Sequence, residues 1–239
     1  MRESGRGERW NGRQAVVRLL WTAGLGLLTP PAEAAFVPPT LWARGQANTT
    51  YQEWNVFSSV AGPNGPDVGS YNPNGTPNLR DTSGGALLTG SGNIYSPAAV
   101  LNIAVEVPDY AGAGDVTTVI LQTRTLGSEI DLGSVQVGGA SASDVGELLR
   151  EPAGGPGGFA VETWFKFLLP YSAAGFTIQF NADGSSMSLD RVAVDTITAA
   201  TYIPEPNPVP EPGALVLLIM GIALLNGSIG NRKQRAAGF

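Results

Sequence analysis

The 239-residue chain contains no histidine and no cysteine, so any chemistry it performs falls to carboxylates, hydroxyls, guanidinium groups and aromatic rings. A Ser-His-Asp triad, a thiolate nucleophile, a zinc site of the usual His and Cys ligands and an imidazole proton shuttle are all excluded. Glycosidic hydrolysis is the one familiar hydrolase chemistry left open, because two carboxylates suffice for it. Residues 35–203 carry fifteen carboxylates, but these are scattered, with no paired motif. The body reads as non-catalytic, with a small carboxylate-dependent glycoside hydrolase as the lesser alternative.

Ligand binding has better raw material. Sugar recognition uses directional hydrogen bonds to hydroxyls together with a ring face for the C–H side of the pyranose. Residues 61–85 are crowded with Gly, Pro and Asn and show no apolar period, which predicts a long irregular loop in which Tyr71, Asn72 and Asn74 are candidate glycan contacts. Ordinary turn chemistry accounts for the same composition. Trp164 stands in the polar phase of its segment beside Glu162 and Lys166, which predicts an exposed ring and a fourth candidate contact. Tyr51, Trp54 and Trp164 together offer a sugar-stacking platform, but strand aromatics more often pack inside, and Trp54 reads as core. No cofactor is expected, with calcium the one ion worth considering: Asp183, Asp190 and Asp195 are hard oxygen donors, but a calcium ion wants six to eight such ligands.

Charge narrows the partners. The formal net charge is −6, and eight of the fourteen basic residues lie in the end segments. Residues 35–203 keep only Arg44, Arg80, Arg124, Arg150, Lys166 and Arg191 against the fifteen acids. Such a body has no basic face with which to displace phosphate counterions, so nucleic acid is not an expected partner.

The elements that must position these residues are strands. Abundant Gly, Thr, Ser, Asn and Val with 14% charged residues disfavours long helices and favours short strands joined by turns. Leu101, Ile103, Val105 and Val107 alternate with Asn102, Ala104 and Glu106; Phe159, Val161, Thr163, Phe165, Phe167 and Leu169 alternate with Glu162, Trp164 and Lys166. Both are half-buried antiparallel strands by their period of two. Further strands are expected at 51–57, 116–126, 129–137, 176–180 and 188–198. Apolar parity slips within two of them, between Leu132 and Val135 and between Leu189 and Val192, as a β-bulge would make it do. Residues 181–184, Asn-Ala-Asp-Gly, are a turn, and residues 144–150 read as a short helix. The fold expected is all-β, an antiparallel two-sheet sandwich of the jelly-roll kind. Residues 188–195 resemble the last strand of carbohydrate-binding jelly-roll modules, whose Leu-Asp-x-Val pattern brings the chain back beside its start.

Both ends read as address labels. A basic region ending at Arg18 precedes an apolar run over 19–28, too short to span a bilayer, and then Ala32-Glu33-Ala34, whose small residues suit signal peptidase. Residues 1–34 are therefore a signal peptide, and cleavage after Ala34 starts the mature chain at Ala35. Residues 204–212 form a stiff proline-rich spacer ending in Val209-Pro210-Glu211-Pro212. An apolar stretch over 213–229 follows, and the segment 213–231 is long enough for a transmembrane helix. Arg232, Lys233 and Arg235 in the basic tail, 232–239, would stay cytoplasmic.

This order of Pro-Glu-Pro, apolar helix and basic tail resembles the PEP-CTERM sorting signal of Gram-negative bacteria. The resemblance implies recognition by an exosortase, a cut near Pro210 to Pro212, and passage from a membrane-anchored intermediate to the cell surface or extracellular matrix. It also implies association with exopolysaccharide and biofilm. Its expected partners are signal peptidase, the membrane, exosortase and an exopolysaccharide. The tail gives destination, and leaves the body as either a glycan-binding or a purely structural matrix protein.

Overall fold

The computed structural model describes residues 36–71, 75–112, 115–153 and 157–203. The signal segment, the proline-rich spacer, the apolar stretch and the basic tail lie outside them, as do Asn72 and Asn74. Among the described residues no helix is long and apolar enough to cross a membrane.

Thirteen strands follow in chain order: β1 (Thr49–Trp54), β2 (Val68–Tyr71), β3 (Asn78–Asp81), β4 (Leu87–Leu88), β5 (Ile94–Ser96), β6 (Asn102–Pro108), β7 (Val116–Gly127), β8 (Gln136–Val137), β9 (Ala140–Ser141), β10 (Asp144–Pro152), β11 (Phe159–Leu169), β12 (Gly175–Asn181) and β13 (Met187–Ala199). They make two antiparallel sheets. The larger runs β10-β11-β7-β13-β1-β2, with β5 pairing the start of β13 and β4 pairing β5; the smaller runs β3-β6-β12-β8-β9. The all-β, two-sheet expectation holds, and β13 does return beside β1, with Tyr51 opposite Asp195 and Trp54 opposite Val192.

The sheets share one apolar core, built from alternate residues. Ile103, Val105 and Val107 of β6 and Ile178 and Phe180 of β12 meet Phe165 and Phe167 of β11, Val119 and Leu121 of β7, and Val192 and Val194 of β13. Burying each large side chain of this kind stabilises the fold by about 1.5–3 kcal/mol. Trp54 is fully buried, as its strand predicts, and its indole N–H donates to the Asn64 carbonyl at 2.9 Å. The parity slip after Leu189 is a bulge: Leu189 faces Thr125 and Arg191 faces Arg124, leaving Asp190 between them.

Three expectations need correction. Residues 144–150 belong to β10, an edge strand, not a helix. Val145, Leu148 and Leu149 imitate helical spacing because a bulge between Glu147 and Leu149 breaks the strand's parity. Residues 129–137 are not one bulged strand: Leu132–Ser134 forms a 3-10 turn capped by Asp131, and only Gln136–Val137 pairs as β8. Residues 61–85 are not wholly irregular, since β2 and β3 lie within them. Asn64, 2% exposed, organises the loop through its side chain, accepting from the backbone N–H groups of Ser58 and Ser59 and donating to the carbonyls of Ser59 and Leu79.

Residues 36–48 cross the outer face of the larger sheet as a strap. The Gln122 side chain accepts from the Val37 N–H at 2.9 Å and donates to its carbonyl at 2.8 Å. Arg44 donates to both oxygens of Asp195, at 2.8 and 2.9 Å, and its guanidinium lies 3.5 Å from the centre of the Tyr51 ring. Phe36 packs with Tyr51 and Ala193. The larger sheet therefore buries much of both faces.

Candidate functional site

Strand register assembles a site that no local motif announces. On the outer face of the larger sheet, Glu151 of β10 pairs with Ala160 of β11, Ala160 with Leu126 of β7, Leu126 with Ser188 of β13, and Ser188 with Tyr95 of β5. Two small residues, Ala160 and Ser188, flank Leu126 in this row, and its ends are a carboxylate and an aromatic ring. The result is a cleft of about 580 Å³. Gly127 closes one end: its φ is +86°, and a Cβ there would run into the Ser186 carbonyl oxygen.

The next row lies beside the cleft and contributes Arg124 to its lining. Glu162, Arg124 and Arg191 stand opposite one another across β11, β7 and β13. Arg124 is the hub. Its Nη2 meets Glu151 at 3.3 Å, its Nη1 meets Glu162 at 3.4 Å, and its Nε faces Asp190 at 3.3 Å, where the bulge turns that carboxylate toward it. Arg191 also approaches Asp190, at 3.6 Å. Burial pushes the Glu162 carboxyl above the usual range, an effect that Arg124 and Arg191 partly offset. Glu151 keeps 40% of its side chain exposed, whereas Glu162 keeps 2%. The cleft thus leaves Glu151 open to solvent and Glu162 enclosed.

Two other hollows are less suited to a sugar. One of about 560 Å³ is lined by the strap alone, residues 38–44 with Gln46, and its one charged group is Arg44, already bound to Asp195. Another, of about 360 Å³ on the smaller sheet, is lined by amides and hydroxyls, Asn102, Gln136, Gln179 and Asn181 among them, with no aromatic ring. The cleft beside Tyr95 has both kinds of contact that a pyranose uses.

The residues picked out in the sequence fare unevenly. Trp164 is 3% exposed, not an open ring: its indole lies against Gly146 of β10, where a Cβ would collide with the indole nitrogen, and Lys166 approaches its ring. A ring so enclosed offers no stacking face. Tyr51 is 4% exposed, beneath Arg44, with its hydroxyl donating to Glu53. Tyr71 ends β2 opposite Tyr51. Asp183, Asp190 and Asp195 are not gathered into one ligand set. Asp183 accepts from the Glu129 N–H, Asp190 faces Arg124 and Arg191, and Asp195 holds Arg44. Asp190 and Asp195 are five residues apart on one strand, about 16 Å at ~3.3 Å per residue. Among the described residues no group of three or more carboxylates is placed to hold a metal ion.

Tyr95, Arg124, Glu151 and Ser188 went unnoticed in the sequence because each comes from a different strand. The available signal was the polar phase of β7, where Gln122 and Arg124 interrupt an otherwise apolar and threonine-rich strand. Comparison with known proteins assigns no family: no family model matches the chain, and neither a curated protein nor a solved structure matches it.

Proposed function

We propose that this is an exported, PEP-CTERM-sorted surface or matrix protein, non-catalytic, whose sandwich holds extracellular polysaccharide in the cleft beside Tyr95. The observation that carries the reading is the combination of a three-part sorting tail with an open cleft on one end of the sandwich. Their relative placement supports it. The cleft takes Ser188 from the start of β13, and the chain leaves the sheet at Ala199, eleven residues and about 36 Å further along at ~3.3 Å per residue. The chain therefore leaves the sheet at the end away from the cleft. A binding site on a tethered domain works best with that polarity.

The jelly-roll reading belongs to the same proposal. The chain crosses between sheets from β2 to β3, β3 to β4, β5 to β6, β6 to β7, β7 to β8, β9 to β10, β11 to β12 and β12 to β13, an alternation of the jelly-roll kind. The glycosidase alternative needs two carboxylates facing one bond; the cleft lining includes one, Glu151. A purely structural matrix role predicts no saturable saccharide binding.

The sorting half of the proposal is tested by intact-mass measurement of the native protein. A mature chain starting at Ala35 and ending near Pro210 to Pro212 is expected. Glu211→Gln preserves side-chain shape and removes the charge, so the expected product is an uncut, membrane-held precursor. An intact tail on the wild-type protein in its own host would make the segment a permanent anchor.

A further inference from the structure

The charge arrangement around Arg124 says more about the ligand than the shape of the cleft does. We infer that the cleft discriminates by charge: it rejects uronic acids and sulfated sugars and prefers a protonated amino sugar, with Glu151 as the residue that reads the charge. This rests on the saccharide-binding reading above and names its substrate class.

Binding an acidic sugar requires a guanidinium or ammonium able to turn toward it, best as a bidentate fork. Arg124 is the cation in the lining of the cleft. All three of its nitrogens face protein carboxylates, at 3.3, 3.4 and 3.3 Å from Glu151, Glu162 and Asp190. Recruiting it to a ligand would strip charge from Glu162, whose side chain is 2% exposed, and a buried carboxylate left without its partner is costly. An incoming carboxylate or sulfate would also meet Glu151 head-on.

A cation meets the opposite situation. Three carboxylates, Glu151, Glu162 and Asp190, surround two guanidinium groups, those of Arg124 and Arg191. Glu151 is the most open of the three and directs one oxygen, Oε1, at Arg124. Glu151 lines the cleft together with Ala160 and Leu126. An equatorial ammonium on a pyranose packed over Ala160 and Leu126, with its C–H face toward Tyr95, would complete the charge lattice without breaking any pair already in it.

The test uses the full-length protein in mild detergent and three soluble probes: glucosamine oligomers, neutral glucose oligomers and oligogalacturonate. The wild type is expected to bind glucosamine oligomers at least tenfold more tightly than oligogalacturonate, with the preference shrinking as salt rises from 50 to 500 mM. Glu151→Gln, at a half-exposed edge position, should abolish the preference for the amino sugar and leave binding of the neutral oligomer within about twofold. Tyr95→Ala should weaken all binding equally. Equal or tighter binding of oligogalacturonate by the wild type would overturn the charge inference and leave the saccharide reading standing. So would a preference for glucosamine that survives Glu151→Gln. Absence of binding to every probe and to the host's own polysaccharide would overturn the saccharide reading itself.

Discussion

The two faces of the larger sheet are built from the same strands on different principles. Inward, β7 presents Val119 and Leu121 and β13 presents Val192 and Val194 to one continuous apolar core. Outward, the same strands present Gln122 and Arg124, and Arg191 and Asp195, whose partners come from the strap, from β11 and from the bulge. The inner face is satisfied by nearness alone, since burial is non-directional. The outer face needs each polar group matched in position and charge. Burial in the first supplies most of the stability, and the cleft lies on the second.

That contrast can be broken at its strongest point first. Trp54→Ala removes a fully buried indole from between the sheets and leaves the Asn64 carbonyl with the Leu79 N–H as its remaining donor. The expected loss is about 3–5 kcal/mol, read from urea unfolding, with the outer cleft unaffected in the surviving folded fraction.

Arg44→Met tests the outer face. It leaves Asp195, 0% exposed, without its bidentate cation. Breaking a buried pair from one side costs about 3–5 kcal/mol, and the lower end is expected because Arg44 is itself 21% exposed. Adding Asp195→Leu should recover much of the loss, because removing both charges is far less costly than removing one. Failure of the double variant to recover would mean that the strap is held by something other than this pair.

The smallest effect concerns a charge on the inner side. Asp109 is 0% exposed, accepts from Thr196 at 2.9 Å, and is pushed up to about 6 by burial. Because its folded value lies above the ordinary 3.8, the native state favours the protonated form. Its contribution to stability is complete below about pH 4, fades as pH rises through 6, and is gone above that. Asp109→Asn should match the wild type near pH 4 and exceed it by roughly 1–3 kcal/mol near pH 7.5. Parallel stability–pH curves for the two proteins would show that the carboxyl titrates normally.

The legibility of the sequence follows the same division. β6, β11, β12 and β13 were readable because one face of each meets the apolar core, which imposes strict alternation; even the bulge at Asp190 left its mark as a slip of parity. β10 was not, because an edge strand with a bulge loses the alternation that identifies it. Trp164 was placed on the correct face and given the wrong exposure. Strand period tells which side of a sheet a residue takes, but not whether a strap or a neighbouring glycine such as Gly146 encloses it there. The cleft was invisible for a related reason. Glu151, Ala160, Leu126, Ser188 and Tyr95 form a row only once four strand registers are fixed, and registers are a property of the whole sheet.

The central claim is that a polysaccharide rests on one end of the outer face, and amide hydrogen exchange tests it where it would be seen. With the host's extracellular polysaccharide added to the native protein, added protection is expected at Tyr95, at residues 124–127, at Glu151 and at residues 186–188, and not along the strap or the smaller sheet. Protection centred on Asn102, Gln136 and Gln179, or none at saturating polysaccharide, would contradict the account.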